Sequence, residues 1–454
     1  MKHSQAKLIV EEHRAWAFNN LNRNPKTRIA ALNTLEMALK LNREQLLSAL
    51  ADDLGKPSME SYSSELSLII HEIRYAKKQL KKWIKPKHTG IINRGLIVRE
   101  PFGAALIIGP WNYPAQLTLV PLVSALAAGN GVTVKPSELA PKTAEVICSM
   151  LQEAFEPKMV KVVLGDAETA KVLLNSGYDK IFFTGSPKVG ALVAEQAARS
   201  HSDVTLELGG KSPVIIDEDS NIEFAAKRIA WGKFLNAGQT CIAPDYILIH
   251  ENIKENFLNT LKETLVEFFG QDPKSSPDYG RIVNQKHFDR LTDMINEVST
   301  IYGGQSDRNI LFIEPTIMTA NMDSLSMKEE IFGPVLPILS WKSFDEIKKI
   351  ISVNSNPLAV YCFSNDKQFQ KRIITEIPFG GGAINDTILQ ISDPNLPFGG
   401  RGTSGRGNYH GKWGFETFTH TKGIKLAKQG KVSSTRFPPY KPIPEKIRRI
   451  LFGI

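Results

Sequence analysis

Ala104-Ala105-Leu106-Ile107-Ile108 and Gly131-Val132-Thr133-Val134-Lys135 are short runs that carry no charge before their final residue. Two more runs follow, Val160-Lys161-Val162-Val163-Leu164 and Lys180-Ile181-Phe182-Phe183, and helical patterns separate all four. Apolar runs of this length predict strands buried on both faces. Strands alternating with helices predict a parallel sheet with crossover helices over residues 101 to 206. Such a sheet takes its ligands beyond the carboxyl ends of its strands.

A second alternation runs from Val214-Ile215-Ile216 to about residue 392. It contains Tyr246-Ile247-Leu248-Ile249-His250, Val335-Leu336-Pro337-Ile338-Leu339 and Leu358-Ala359-Val360-Tyr361-Cys362-Phe363. This predicts a second α/β domain, as a chain of 454 residues requires more than one core. Residues 4 to 84 read as helices, with Leu46, Leu47, Leu50 and Leu54 at helical spacing. Residues 91 to 98 read as an extended strand that leaves the main body.

Hydrophobic residues make up 42% and charged residues 23%, which places the chain among ordinary globular proteins. Cys148, Cys241 and Cys362 are widely spaced and odd in number. Neither a disulfide framework nor a zinc spacing is present, so a reducing, cytoplasmic compartment is expected and no metal. Residues 101 to 134 lack any charge, but Pro110, Pro114, Pro121 and four glycines interrupt them. They predict strand, loop, helix and strand rather than a membrane span. The net charge of +9 resides almost wholly in residues 422 to 454, which hold nine Lys or Arg and one acid. A nucleic-acid binder would spread its basicity over a face, so none is expected.

Phe183-Thr184-Gly185-Ser186-Pro187-Lys188-Val189-Gly190 follows a strand and opens a helix. Gly185 frees the turn, Pro187 suits the first helical position, and the helix N-terminus suits a diphosphate. Lys135 at a strand end donates to ribose hydroxyls in this reading, and Glu138 accepts from them while repelling a 2′-phosphate. The plainer alternative for each is a structural turn and a solvated ion pair. Gly400 to Gly405 matches G-x-G-x-x-G, but no apolar strand precedes it, so it is discounted as a dinucleotide fingerprint.

Cys241 follows Asn236-Ala237-Gly238-Gln239-Thr240, a polar stretch that reads as a flexible loop. A cysteine reacts as thiolate, and a helix N-terminus or a cation favours that form. Cys148 and Cys362 lie in apolar runs and read as inert core thiols. Glu207, in Leu206-Glu207-Leu208-Gly209-Gly210-Lys211, supplies a carboxylate base 34 positions before Cys241. Asn112, held between Pro110 and Pro114, supplies an amide suited to an oxyanion.

These stretches together resemble the NAD(P)-dependent aldehyde dehydrogenase superfamily, and most its class 3 branch. The likeness runs from about residue 5 to at least 420. It is carried by Pro110-Trp111-Asn112-Tyr113-Pro114, the Glu207 motif, Gly238-Gln239-Thr240-Cys241, Glu329-Glu330-Ile331-Phe332-Gly333-Pro334 and Pro397-Phe398-Gly399-Gly400. Class 3 features are Gly380-Gly381-Gly382-Ala383-Ile384-Asn385-Asp386 and Tyr409-His410-Gly411-Lys412.

The resemblance implies two Rossmann-like open-sheet α/β domains plus a small β oligomerisation arm. Residues 1 to 84 and 101 to 206 then form the NAD(P)-binding domain, and 207 to 392 the catalytic domain. Residues 85 to 100 and 393 to 440 form the bridging and oligomerisation region, and 441 to 454 a tail. It implies that Cys241 attacks an aldehyde, that Asn112 and the Cys241 N–H hold the oxyanion, and that Glu207 activates water. Glu330 then contacts the nicotinamide ribose, Phe332 positions the ring, Lys135 and Glu138 hold the adenosine ribose, and Gly185, Ser186 and Gly190 frame the phosphates. The cofactor expected is NAD, with NADP also admitted, and the assembly a homodimer.

Tyr113, Leu117, Ile242 and Ile391 are the expected apolar walls of the aldehyde pocket. They favour medium or long aliphatic, aromatic or polyene aldehydes. The competing readings are an acylating enzyme using coenzyme A, a semialdehyde dehydrogenase with Arg401 as its cation, and a non-catalytic protein on the same scaffold. Residues 445 to 454 are too few to span a bilayer but suit adsorption to an anionic membrane, with Ile447, Ile450, Leu451 and Phe452 inserted.

Overall fold

The strand Ala104–Ile108 is buried along its whole length and sits third from one end of a six-stranded sheet. The computed structural model describes residues 1–19, 24–90, 94–427, 437–440 and 442–453. The spatial order of that sheet is Gly405–Arg406, Asp203–Leu208, Lys180–Gly185, Ala104–Ile108, Gly131–Lys135 and Val160–Val162. All neighbours are parallel except Gly405–Arg406, which runs antiparallel on the edge. Chain order therefore reverses between Ala104–Ile108 and Lys180–Gly185. That reversal opens a crevice at the carboxyl ends of the two strands, the place where doubly wound sheets bind ligands.

Helix Gln116–Ala128 is apolar nearly all round and buried at every position. It ends at Gly129, whose φ of +92° is the left-handed cap that glycine adopts without strain. Its depth explains the uncharged stretch before Val134: the helix is a core crossover, packed on strands Ala104–Ile108 and Gly131–Lys135. Among the described residues, no helix is long and apolar enough to cross a membrane.

The second sheet has seven strands in the order Thr300–Tyr302, Thr316–Thr319, Val335–Trp341, Tyr246–His250, Pro213–Ile216, Ala359–Phe363 and Gly381–Ile384. Only Thr300–Tyr302 is antiparallel. Glu207 belongs to the first sheet, because its strand Asp203–Leu208 pairs residue by residue with Lys180–Gly185. The second sheet begins at Pro213, so the passage between sheets falls a few residues beyond position 206.

Residues 1–84 and 100–420 form one compact unit that holds both sheets. Residues 85–99 and 421–454 form the other. Strands Lys87–Thr89, Gly95–Pro101 and Thr419–Lys425 make a three-stranded sheet. In the tail, helix Glu445–Phe452 leaves Ile447 and Ile450 exposed, while the side chains of Leu451 and Phe452 lie outside the described residues.

Candidate active site

Helix Ile222–Phe234 runs into a short turn, Leu235–Gly238, that delivers Cys241. Asn236 and Ala237 both adopt left-handed backbone, at φ +52° and +51°. Each such non-glycine residue costs about 1–3 kcal/mol and persists only where its surroundings hold it. Here they do. The Asn236 N–H donates to Glu60 Oε1 at 2.7 Å, and its side-chain amide donates to the Asn112 carbonyl at 2.8 Å. Gln239 Nε2 donates to the Arg281 carbonyl at 2.9 Å, and its Oε1 accepts from the Val283 N–H at 3.0 Å. The loop expected to be flexible is instead buried and held, because the Asn236 and Gln239 side-chain amides turn inward to main-chain partners.

Asn112 follows the strand Ala104–Ile108 and is 3% exposed. Its Nδ2 donates to the Gln239 carbonyl at 3.0 Å, which fixes the amide plane beside the Cys241 loop. Glu207 stands opposite Gly405 at the edge of the sheet. It is buried, and neither carboxyl oxygen has a protein partner. Burial alone pushes its pKa well above the carboxylate range.

The Cys241 thiol is also pushed up, first by burial and then by the carboxylates of Glu330 and Glu207. The sequence surrounding Cys241 is polar, but the space it lines is desolvated and acidic. Cys362 is buried as expected, whereas Cys148 is only partly buried on helix Pro141–Ala154.

Asn112, Glu207 and Cys241 line one cavity of about 540 Å³, together with Leu117, Gly185, Ser186, Glu330 and Phe332. Two sheets supply these residues. Lys211, buried and ion-paired with Asp245, donates to the Glu329 carbonyl at 3.2 Å. Asp245 in turn accepts the Ile331 N–H at 3.0 Å, so this pair holds the loop that carries Glu330 and Phe332. Phe332 is left-handed, at φ +52°. The Glu330 carboxyl sits where a Cβ on Gly209 would fall and accepts from the Gly210 N–H. Burial and Asp245 raise its pKa to about 8.

Other predicted residues lie apart from the cavity wall. Tyr113 turns away, its hydroxyl 2.6 Å from Thr240 Oγ1. Ile242 is buried in the main core, and Ile391 packs against that core from outside. Lys135 closes the strand beside the crevice and pairs with Glu138 at 2.8 Å. Gly190 lies under Leu208, whose side chain a Cβ would meet at 2.5 Å, so it sets the approach of helix Pro187–Arg199 to the sheet. Arg401 is exposed and outside the cavity wall. The segment Gly400 to Gly405 is a turn and an edge strand rather than a strand-to-helix turn.

The crevice fits a dinucleotide. Helix Pro187–Arg199 begins at its rim with Ser186 as N-cap, and Thr184 Oγ1 is buried there without a protein partner. That N-terminus suits a diphosphate, and Lys135 with Glu138 offers a donor and an acceptor for a ribose. Among the described residues, no cluster of metal-ligating side chains occurs.

Sequence reasoning missed two residues of the wall, His287 and Arg290. Trp111 lies with its ring centroid 5.3 Å from those of His287 and Phe332. Burial lowers the His287 pKa to about 4, and Arg290 reaches the Ile331 carbonyl at 2.5 Å. Both come from helix Gln285–Glu297, an amphipathic surface helix with no local motif to mark it.

Comparison with known proteins agrees with this arrangement. The family model for the aldehyde dehydrogenase family matches residues 2–424. The chain is 46% identical to a 4,4′-diaponeurosporen-aldehyde dehydrogenase of Staphylococcus aureus, over 90% of this chain and 91% of that protein. It is 40% identical to a dimeric NADP-preferring aldehyde dehydrogenase of Rattus norvegicus, over 93% of this chain and 95% of the relative. The solved structure of the substrate-bound state of Staphylococcus aureus AldH superposes with a TM-score of 0.94 at 43% identity, covering 99% of each chain. The chain thus belongs to the aldehyde dehydrogenase family, in its class 3-like branch, and catalyses NAD(P)-dependent oxidation of an aldehyde.

Proposed function

We propose that Cys241 is the nucleophile, Glu207 the general base and Asn112 the oxyanion donor of this oxidation, and that the substrate is an apolar aldehyde. The carrying observation is the convergence of these three side chains, from separate elements, on one cavity.

Cys241 Sγ bonds to the carbonyl carbon, and the carbonyl electron pair moves to oxygen. The oxyanion is met by the second N–H of the Asn112 amide and by the Cys241 main-chain N–H. The thiol gives up its proton to solvent in the cavity. The chemistry that bound NAD or NADP supplies is acceptance of a hydride from the Cys241 thiohemiacetal, which leaves a thioester. Glu330 and Phe332 orient the nicotinamide end, the Ser186 helix start holds the diphosphate, and Lys135 with Glu138 holds the adenosine ribose. Glu207 then removes a proton from water as its oxygen attacks the thioester carbon. The C–S bond breaks and Cys241 leaves as thiolate.

Trp111, Leu117 and Phe332 give the cavity apolar walls, which supports a medium or long aliphatic, aromatic or polyene aldehyde. The name of the Staphylococcus aureus relative supports the polyene case. A homodimer is supported by the name of the rat relative. The exposed apolar residues of the basic tail support peripheral membrane contact.

The test is NADH and NADPH formation across an aldehyde chain-length series, with Cys241→Ala beside the wild type. Activity that rises with chain length and vanishes in the variant is expected. Equal specificity constants along the series would remove the apolar-substrate reading, and an active Cys241→Ala would remove the nucleophile.

A further inference from the structure

Gly55, at φ +59°, ends helix Arg43–Leu54 and turns the chain inward, and Lys56 follows it. The Lys56 side chain is fully buried, as is that of Glu65. Lys56 Nζ lies 2.6 Å from Glu65 Oε1, 3.0 Å from the Asn112 carbonyl and 4.1 Å from the centre of the Tyr113 ring. Glu65 Oε2 accepts from the N–H groups of Ala115 at 2.8 Å and Gln116 at 3.2 Å. Helix Gln116–Ala128 has no side-chain cap of its own at Ala115. Glu65 is therefore a cap lent by another element, with its negative charge at the positive end of the helix.

One buried ion pair thus grips the Asn112 turn at three main-chain atoms, the Asn112 carbonyl and the N–H groups of Ala115 and Gln116. The Asn112 carbonyl is shared with Asn236 Nδ2 from the nucleophile loop. Stability alone does not account for such a pair. Removing two charges from water is expensive, and apolar replacements of similar volume are often as stable or more so. The local backbone points the same way. Glu65 lies in a single π-helical turn, Tyr62–Leu66, set between α-helical segments, an insertion that weakens a helix and recurs at functional sites.

We propose that Lys56 and Glu65 are positioning residues that aim the Asn112 amide at the developing oxyanion. They touch neither aldehyde nor cofactor and act through the main chain of the turn. The proposal rests on the reading of Asn112 as the oxyanion donor. Misplacing a catalytic group by about 1 Å costs on the order of 100-fold in rate. The loss falls on kcat, because the donor matters most when charge has developed on oxygen.

The experiment is a double-mutant cycle between Lys56→Met and Asn112→Ala, read as kcat and KM and accompanied by thermal melts. Expected is a fall in kcat of about 10- to 100-fold for Lys56→Met, with both KM values within about threefold of wild type. In the Asn112→Ala background the same change costs less than about threefold, since there is no donor left to aim. The alkylation rate of Cys241 by iodoacetamide stays at the wild-type value in Lys56→Met. Glu65→Asp, which keeps the charge but shortens the reach, guards against a Lys56→Met that does not fold; it is expected to melt cooperatively and lose kcat at unchanged KM. A loss from Lys56→Met that is equally large with and without Asn112 would overturn the proposal, as would a lowered melting temperature at wild-type kcat. If Asn112→Ala itself retains wild-type kcat, the oxyanion assignment falls and the positioning role with it. Full loss in Asn112→Ala with none in Lys56→Met or Glu65→Asp overturns the positioning role alone.

Discussion

Asn112 Nδ2 donates to the carbonyl of Gln239 at 3.0 Å, two residues before Cys241 in the chain. The bond uses one N–H of the amide to set its plane and leaves the other for substrate oxygen. The proposed oxyanion donor and nucleophile are therefore carried on two segments that bond to each other. Asn112→Ala is expected to lower kcat by about 100- to 1,000-fold, the usual cost of one oxyanion donor, with little change in aldehyde KM. Steady-state kinetics on one aldehyde decides it, and an effect confined to KM would count against the role.

The pH dependence follows from two raised groups. Glu207 serves as base only when ionised, and burial holds it protonated well above the usual carboxylate range. Cys241 likewise keeps its proton as a free thiol. Turnover should therefore climb as pH rises from neutral into the alkaline range, instead of levelling off near pH 5 as an ordinary carboxylate would require. Glu207→Gln is expected to show a burst of reduced cofactor equal to the active sites, followed by very slow turnover, as the thioester accumulates. Rapid-mixing absorbance measures both, and a steady rate near wild type would exclude Glu207 as the hydrolytic base.

Glu330 affects the nucleophile through space. Its carboxylate is the largest charge contribution holding the Cys241 thiol up. Glu330→Gln removes that charge, so the thiol pKa falls and the thiolate fraction rises wherever Glu330 would be ionised, toward and above pH 8. Alkylation of Cys241 by iodoacetamide, followed between pH 7 and 9 without cofactor, should be faster in this variant. The gain should be largest at the upper end of that range; a rate equal to or below that of the wild type would show that Glu330 does not tune the thiol.

How far the chain was legible depends on how local each signal was. The runs Ala104 to Ile108 and Lys180 to Phe183 disclose their strands because burial on both faces leaves an unbroken apolar pattern. Cys241 and Glu207 are legible because each sits in a distinctive stretch. Lys56 and Glu65 were not: nothing near them signals a partner, and Lys56 meets Asn112 56 positions away. Glu60 meets Asn236 across 176 positions. The state of the Cys241 thiol was not legible for the same reason. A polar neighbourhood in sequence became a desolvated one once Glu207 and Glu330 arrived from distant segments. Tyr113 and Ile242 neighbour the site in sequence, yet Tyr113 bonds to Thr240 and Ile242 packs in the main core.

Gly209 tests the cofactor side. A Cβ at this position would fall on the Glu330 carboxyl, and Glu330 is held from behind by the loop that Asp245 and Lys211 anchor. Gly209→Ala must therefore displace Glu330 from its seat on the Gly210 N–H. The expected result is a rise in the KM of NAD and NADP of roughly tenfold or more, of the order that losing a charge-assisted hydrogen bond of about 1.5–3 kcal/mol allows. Cofactor titration by fluorescence gives the same change in Kd. Wild-type cofactor affinity in a folded variant would remove Glu330 from the cofactor site.

The tail offers a separate prediction. Residues 422 to 454 carry nine Lys or Arg against one acid, and helix Glu445–Phe452 sets Ile447 and Ile450 on one exposed face beside Lys446, Arg448 and Arg449. Each basic residue near an anionic surface contributes about 1 kcal/mol, screened by salt, and the exposed isoleucines add apolar contact. Full-length protein should co-sediment with vesicles containing anionic lipid, less so with neutral ones, and should be released by about 0.5 M salt as the screening length shrinks. A chain ending before Pro442 leaves the strand Thr419–Lys425 in place while removing the helix, so its binding should drop sharply at unchanged activity on a water-soluble aldehyde. Equal sedimentation of the two forms would show that the helix does not contribute to membrane contact.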